Sequence, residues 1–351
     1  MFRPYVGLTV CVALSLAVGS SVGGQTRPTD QPTHPVLEQA VKAAAELPRL
    51  HSLLVSWHGE LLAERYFNGK RPGNLANIKS ASKSIVSALV GIAIDRGLIK
   101  DVKQPLATFF PDLLAGNSDA PKRAITIEDL LTMRSGLETT SNRNYGAWVQ
   151  SRNWVGHVLS RPLIAAPGTI MEYSTGNTHL LSAVLTKATG TSTWQFAQET
   201  LAKPLGFTLA QWPRDPQGIY FGGNDMLMTP RQMLTFGELY LRRGRSNGRQ
   251  IVPEKWTDAS FVPRGRSRFN DRFYGYGWWM RDIADRQAYY AWGFGGQFIV
   301  LVPDLDLVIV STSAATVSDD RRTHRRTVDD IIEYLIVAPI ASAAQLSTSK
   351  N

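Results

Sequence analysis

The sequence predicts an α+β fold (an α/β sandwich) in which helices flank an antiparallel sheet drawn from both chain ends, joined to a mostly helical second lobe. Three observations predict it. Two short strand-like runs stand near the start, at 51–57 and 61–67, split by His58-Gly59 as in a hairpin. Three more stand near the end, at 288–292, 297–302 and 307–312. Between about 105 and 213 the apolar spacing is mostly helical, and Pro and Gly break it repeatedly.

Residues 1–24 read as a secretory signal. Arg3 supplies the positive charge, 5–18 an apolar run, and Val22-Gly23-Gly24 the small residues before a cut near Gly24-Gln25. The run is short for a membrane span, so an exported protein, periplasmic or secreted, is expected, with an uncleaved anchor as the alternative. Residues 25–35 are Pro- and Thr-rich and read as a linker. One domain is expected over 36–340, its helical lobe at about 105–213, with 341–351 a flexible tail.

Within that domain, 36–47 has amphipathic helical spacing. The run 85–94 is apolar nearly all round, as in a helix buried inside a domain, and Arg96-Gly97 closes it. Helices follow at 126–133, 148–159 and 179–189, then 230–243 and 253–261, and 328–336 closes the fold.

The 351 residues carry a formal charge of +9, but the basic residues are scattered. The one cluster, Arg321-Arg322 with Arg325-Arg326, opens a helix after Asp319-Asp320 and reads as a solvated face, so no nucleic-acid partner is expected. The only cysteine, Cys11, falls inside the signal, which removes thiol catalysis, disulfides and cysteine metal sites from the mature chain. The six histidines show no metal-type spacing, and His179 reads as a packing or surface residue on its helix. Among nine tryptophans, Trp148, Trp154 and Trp292 are candidates to line a cleft. The sequence gives no oligomeric state.

Ser80-Ala81-Ser82-Lys83 lies where a polar run turns into the 85–94 helix. A lysine three residues on, one turn higher on the same face, can take the proton that a serine must lose to become a nucleophile. The unpaired N–H groups and positive dipole end at a helix start favour an alkoxide and disfavour an ammonium. Read locally, Ser80 is equally an N-cap and Lys83 a solvated lysine. A second S-x-x-K, Ser347-Thr348-Ser349-Lys350, has no helix to fix it. Tyr173 lies in Glu172-Tyr173-Ser174-Thr175-Gly176-Asn177, at a helix entrance, where a phenol beside a cationic lysine is expected to have a depressed pKa. Gly293-Phe294-Gly295-Gly296-Gln297 follows a strand, and such glycines leave N–H groups free to hold an oxyanion. The G-x-S-x-G match at Gly19–Gly23 falls in the signal, and Gly116-Asn117-Ser118-Asp119-Ala120 lacks the last glycine, so an α/β-hydrolase elbow is rejected.

Together these pieces resemble the serine β-lactamase and penicillin-binding-protein superfamily, in its class C β-lactamase-like branch of esterases and amidases. Thr126-Ile127-Glu128-Asp129-Leu130-Leu131-Thr132-Met133-Arg134-Ser135-Gly136-Leu137 looks like that branch's hallmark segment, and Met228-Thr229-Pro230 and Ile251-Val252-Pro253 also fit. The Tyr173 and Gly293 segments are most similar to aminohexanoate-oligomer hydrolases. The resemblance spans about 50–335 and implies a β-lactamase/transpeptidase-like fold. It implies Ser80 as acylated nucleophile, Lys83 as proton acceptor, Tyr173 as proton relay, and the backbone N–H groups of Ser80 and Phe294 as oxyanion hole. It implies no metal and no organic cofactor.

Two departures matter. Thr175 stands where the motif Y-x-N has asparagine, so Asn177 is the expected substitute amide. Ala291-Trp292-Gly293 replaces K-T-G or H-x-G, and Ala291 cannot hold a substrate carboxylate. Asn177, Trp292, Gly293, Tyr145 and Asn224 are the expected substrate contacts. The expectation is an exported serine hydrolase of a small-molecule or peptide-like ester or amide. A β-lactamase or D-Ala-D-Ala carboxypeptidase is one alternative, and a binding or sensing module without turnover another.

Overall fold

The computed structural model describes residues 33–116 and 120–348, together with Met1. The expected signal, Cys11, most of the 25–35 linker, and 117–119 lie outside the described residues.

Among the described residues, eight strands form one antiparallel sheet. They are β1 (Leu50–Trp57), β2 (Glu60–Tyr66), β3 (Gly265–Arg266), β4 (Phe273–Tyr274), β5 (Trp279–Ile283), β6 (Arg286–Gly293), β7 (Gln297–Val302) and β8 (Leu307–Ser313). Their order is β2-β1-β8-β7-β6-β5-β4-β3. The expected union of the two chain ends is the β1–β8 pair, running from Leu50 opposite Ser313 to Trp57 opposite Leu307.

β7 and β8 are buried at every position, because helices cover both faces of the sheet. Leu54, Ala291, Ile299, Leu301, Val308 and Val310 face the Ser82–Asp95 and Pro230–Leu241 helices. Gly237 lets the second of these lie close, since a Cβ there would come 2.6 Å from Val308 Cγ1. Alternate residues, among them Leu53, Val55, Val300 and Ile309, face the Glu38–Ala45 helix and the C-terminal helix. Each such side chain fully buried contributes about 1.5–3 kcal/mol.

Several boundaries differ from expectation. β5 follows an aromatic and glycine-rich run with no clear period, and β3 and β4 extend that edge by two residues each. The expected 148–159 helix is two, Tyr145–Val149 and Trp154–Ser160, because the Asn153 side chain caps the second at Gly156 N. The expected 179–189 helix begins at Thr175, where Thr140 and Ser141 hydroxyls accept its first N–H groups. The helix expected to open at Arg321 and the closing helix expected at 328–336 are one continuous run: Arg321–Asp330 continues through wide turns at Ile331–Val337 into Ala338–Thr348. The expected tail is therefore helical as far as Thr348, because Ile340 and Ala341 are buried. Pro35, assigned to the linker, opens a helical turn, Pro35–Leu37, that buries Leu37.

Candidate active site

Ser80 sits in a tight turn, Lys79–Ala81, running directly into the buried Ser82–Asp95 helix. Lys79 has φ 50°, in the left-handed region, which costs a residue with a Cβ about 1–2 kcal/mol. Side chains hold it there. Asn77 Oδ1 accepts from Lys79 N at 3.0 Å, and Lys79 Nζ pairs with Asp225 Oδ1 at 2.7 Å. Ser82 Oγ donates to Lys79 O and accepts from Met226 N, joining the turn to the 222–226 loop.

Lys83 is 2 % exposed. Its Nζ lies 3.0 Å from Ser80 Oγ, 2.5 Å from the Gly223 carbonyl oxygen and 3.4 Å from Thr175 Oγ1. Burial lowers its pKa to about 7, although the Asp225 carboxylate pulls upward. Thr175, at the motif's asparagine position, thus meets the lysine through a hydroxyl instead of an amide. Asn177 does not take over that contact. It is buried beneath the helix start, where its Oδ1 accepts from Ser135 Oγ at 3.0 Å.

Tyr173 converges on the same point, its ring centroid 5.0 Å from Lys83 Nζ. It stacks on Trp279 at 5.6 Å and meets Tyr274 edge-on at 6.4 Å. The expected depression of its pKa is wrong. Burial pushes the phenol up to about 12, against a downward pull from its hydrogen bond with Ser80. Desolvation penalises the phenolate, and a lysine near 7 lends little positive charge to offset that. The group is an O–H at neutral pH.

The glycine segment forms the β6–β7 turn, with Gly293 opposite Gln297. A Cβ on Gly293 would sit 2.1 Å from Ile78 O, so only glycine lets β6 approach the Ser80 turn. The role that its geometry shows is one of close packing. Phe294 follows, with its side chain exposed. Gln297 fastens the turn, its Nε2 donating to Ser313 O at 2.8 Å and its Oε1 accepting from Ser313 N at 3.1 Å.

Tyr145 and Asn224 come together, Asn224 Nδ2 donating to Tyr145 Oη at 3.0 Å beside Gly223. Trp292 lies one ring further out. It touches Trp279 at 6.3 Å, and the Arg325 guanidinium covers it at 5.6 Å. Trp148 and Trp154 are core, packed with Phe221 and His179. Of the two readings offered for His179 the packing one holds: it is fully buried against these rings and also pairs with Asp215 at 2.9 Å. Sequence reasoning missed Gly223, Asp225 and Asp215, and passed over Thr175 in favour of Asn177. The run Gly222-Gly223-Asn224-Asp225 carried the signal, a glycine pair followed by two polar residues in a loop.

The arrangement offers a hydroxyl, a buried amine able to accept its proton near neutrality, and a phenol able to donate one. Among the described residues no group of three or more His, Cys, Asp or Glu could hold a metal ion.

The family model described as Beta-lactamase matches residues 51–333. The chain is 27% identical over 301 residues to "6-aminohexanoate-dimer hydrolase" of Paenarthrobacter ureafaciens, covering 78% of this chain and 74% of that protein. Solved structures agree in fold. The octameric penicillin-binding protein homologue from Pyrococcus abyssi superposes with a TM-score of 0.65 at 16% identity, covering 89% of this chain and 77% of that one. EstCE1, described as a hydrolase with promiscuous acyltransferase activity, gives 0.66 at 16% identity, with 85% and 96% covered.

Proposed function

The chain belongs to the Beta-lactamase family of hydrolases, and on that premise we propose that it is an exported serine hydrolase cleaving an ester or a neutral amide through an acyl-Ser80 intermediate. One observation carries the reading: a buried amine with a pKa near 7 lies 3.0 Å from a serine hydroxyl.

Uncharged Lys83 has two N–H bonds and one lone pair. Gly223 O and Thr175 Oγ1 take the N–H bonds, so the lone pair faces the Ser80 O–H. As Ser80 Oγ bonds to the substrate carbonyl carbon, its proton passes to Lys83 Nζ, and negative charge gathers on the carbonyl oxygen. The N–H groups of Ser80 and Phe294 receive that charge, a contribution of roughly a hundredfold or more in rate per donor. The Tyr173 O–H protonates the leaving oxygen or nitrogen as the bond breaks, and the phenolate regains a proton from the Lys83 ammonium. Water then attacks the acyl-enzyme, giving its proton to the same pair, and Ser80 is released.

Two features bear on the substrate, which we take to be small or peptide-like and held without a cation on its carboxylate. Ala291 is buried and uncharged where relatives place a cation. The names of two relatives bear on size and bond type alone, one acting on an aminohexanoate dimer and one described as a hydrolase with promiscuous acyltransferase activity. Export rests on the leading 24 residues alone.

The test is intact-mass detection of acylation across p-nitrophenyl esters, anilides and a cephalosporin, with a serine-directed phosphonate as label. Wild type is expected to gain one acyl group and release it, and Ser80→Ala to gain none. Labelling or turnover undiminished in Ser80→Ala would refute the mechanism. An adduct that persists with no turnover of any substrate would identify a binding or sensing module instead.

A further inference from the structure

The buried His179–Asp215 pair lies outside the chemistry described above, yet a short chain of contacts joins it to Lys83. Gly222 N donates to His179 Nδ1 at 3.4 Å, and His179 Nε2 lies 2.9 Å from Asp215 Oδ2. A backbone N–H can only donate, so Nδ1 carries no proton. A carboxylate can only accept, so Nε2 carries one. Asp215 is fixed in turn, its Oδ1 accepting from Gln217 N at 2.8 Å and Ile219 N at 2.9 Å.

The segment so held is pressed flat on the Thr175–Thr189 helix. A Cβ on Gly222 would lie 2.2 Å from Thr178 O, and one on Gly223 2.7 Å from Thr175 O. The next carbonyl along, Gly223 O, is the 2.5 Å partner of Lys83 Nζ.

We propose that His179, its tautomer set by Asp215, is a positioning residue that holds the Gly223 carbonyl on Lys83 and so aims the lysine lone pair at Ser80. This rests on the serine-hydrolase reading. If the tautomer reverses, an Nδ1–H faces the Gly222 N–H, and the two donors push the 222–223 segment away. Two effects follow. The lone pair loses its orientation, so acylation slows. The ammonium also loses a carbonyl acceptor that favours the charged form, so the lysine titrates at lower pH.

Asp215→Asn reverses the tautomer with little change of shape, because its amide donates to Nε2. Acylation by a p-nitrophenyl ester is followed against pH, with rates normalised to sites titrated by the phosphonate. The expected result is an alkaline plateau lowered about tenfold and an ascending midpoint moved down by about half a pH unit. A midpoint that stays or rises overturns the proposal, since a merely loosened fold removes active sites without moving it. His179→Asn and His179→Leu decide the matter should Asp215→Asn fail to fold. The asparagine keeps an acceptor where Nδ1 stood and should hold the wild-type midpoint, whereas leucine should lower it. Identical midpoints in the two overturn the idea. A Ser80→Ala variant that still acylates sinks the catalytic reading itself. Its silence beside an unshifted Asp215→Asn sinks only this inference.

Discussion

Lys83 makes opposite demands on activity and stability. Burial holds its pKa near 7, well below an unfolded lysine near 10.4. In the proposed mechanism the catalytic form is the uncharged one, so acylation should rise through about pH 7 and level off above it, as a stopped-flow pH profile will show. For stability, the unfolded chain binds the extra proton between about 7 and 10.4, so this residue's contribution improves as pH rises through that window. Below it the full burial penalty stands. Lys83→Met should therefore abolish acylation yet raise the melting temperature, most at pH 6 and least at pH 9. A variant melting lower than wild type at pH 6 would contradict this. Tyr173 makes a separate prediction. A phenol titrating near 12 serves as a proton donor, and a nitrophenolate leaves without one. Tyr173→Phe should cost anilide cleavage far more than p-nitrophenyl ester cleavage, as kcat/KM on matched substrates will report. The spacing of Ser80 and Lys83 made their meeting legible in the sequence. The state of Tyr173 was not legible, because it depends on Trp279 and Tyr274, a hundred residues away in sequence.

The elements of the candidate site are joined at a few crowded contacts. β6 lies against the Ser80 turn only because Gly293 has no side chain, the added Cβ falling 2.1 Å from Ile78 O. Gly293→Ala should part the strand from the turn and misplace the Phe294 N–H. Acylation should then fall about a hundredfold with a smaller loss of stability. Parallel burst kinetics and thermal melts check this, and an unchanged burst rate would deny the close approach its role. The hairpin of β1 and β2, the buried helix after Ser80, and β6 to β8 all announced themselves through periodicity. β5 did not, since Trp278-Trp279-Met280 between two glycines and Arg281 matches neither period. The join of two helices at 149–154 was hidden for a related reason. Trp148 and Val155, seven residues apart, keep helical spacing across the polar Gln150-Ser151-Arg152-Asn153, and only the Asn153 cap marks the restart.

Across the whole molecule, the sheet has two covers, and the outer one comes from the chain's extremities. The Glu38–Ala45 helix and the long C-terminal helix bury Val300, Ile309 and their neighbours. Arg281 on β5 reaches across to Glu333 at 3.1 Å and Asp329 at 3.5 Å. Removing residues 321–351 should expose that face and abolish cooperative unfolding, although every residue assigned to catalysis remains present. Circular dichroism melts test this, and a truncated chain that melts sharply and still acylates would overturn the two-cover description. The polar first turns were legible as a helix from Arg321, but its reach beyond 340 was not, because Ala341-Ser342-Ala343-Ala344 carries only small side chains and no helical period.

The pairing of Leu50 with Ser313 also governs when the enzyme comes into being. Contacts of such high order close late, because a long loop must be gathered before they form. A chain that carries the serine, the lysine and the tyrosine but not β6 to β8 lacks the backbone proposed to face the reacting carbonyl. Chains that stop before that point should be hydrolytically silent, so the proposed activity waits for β6 to β8.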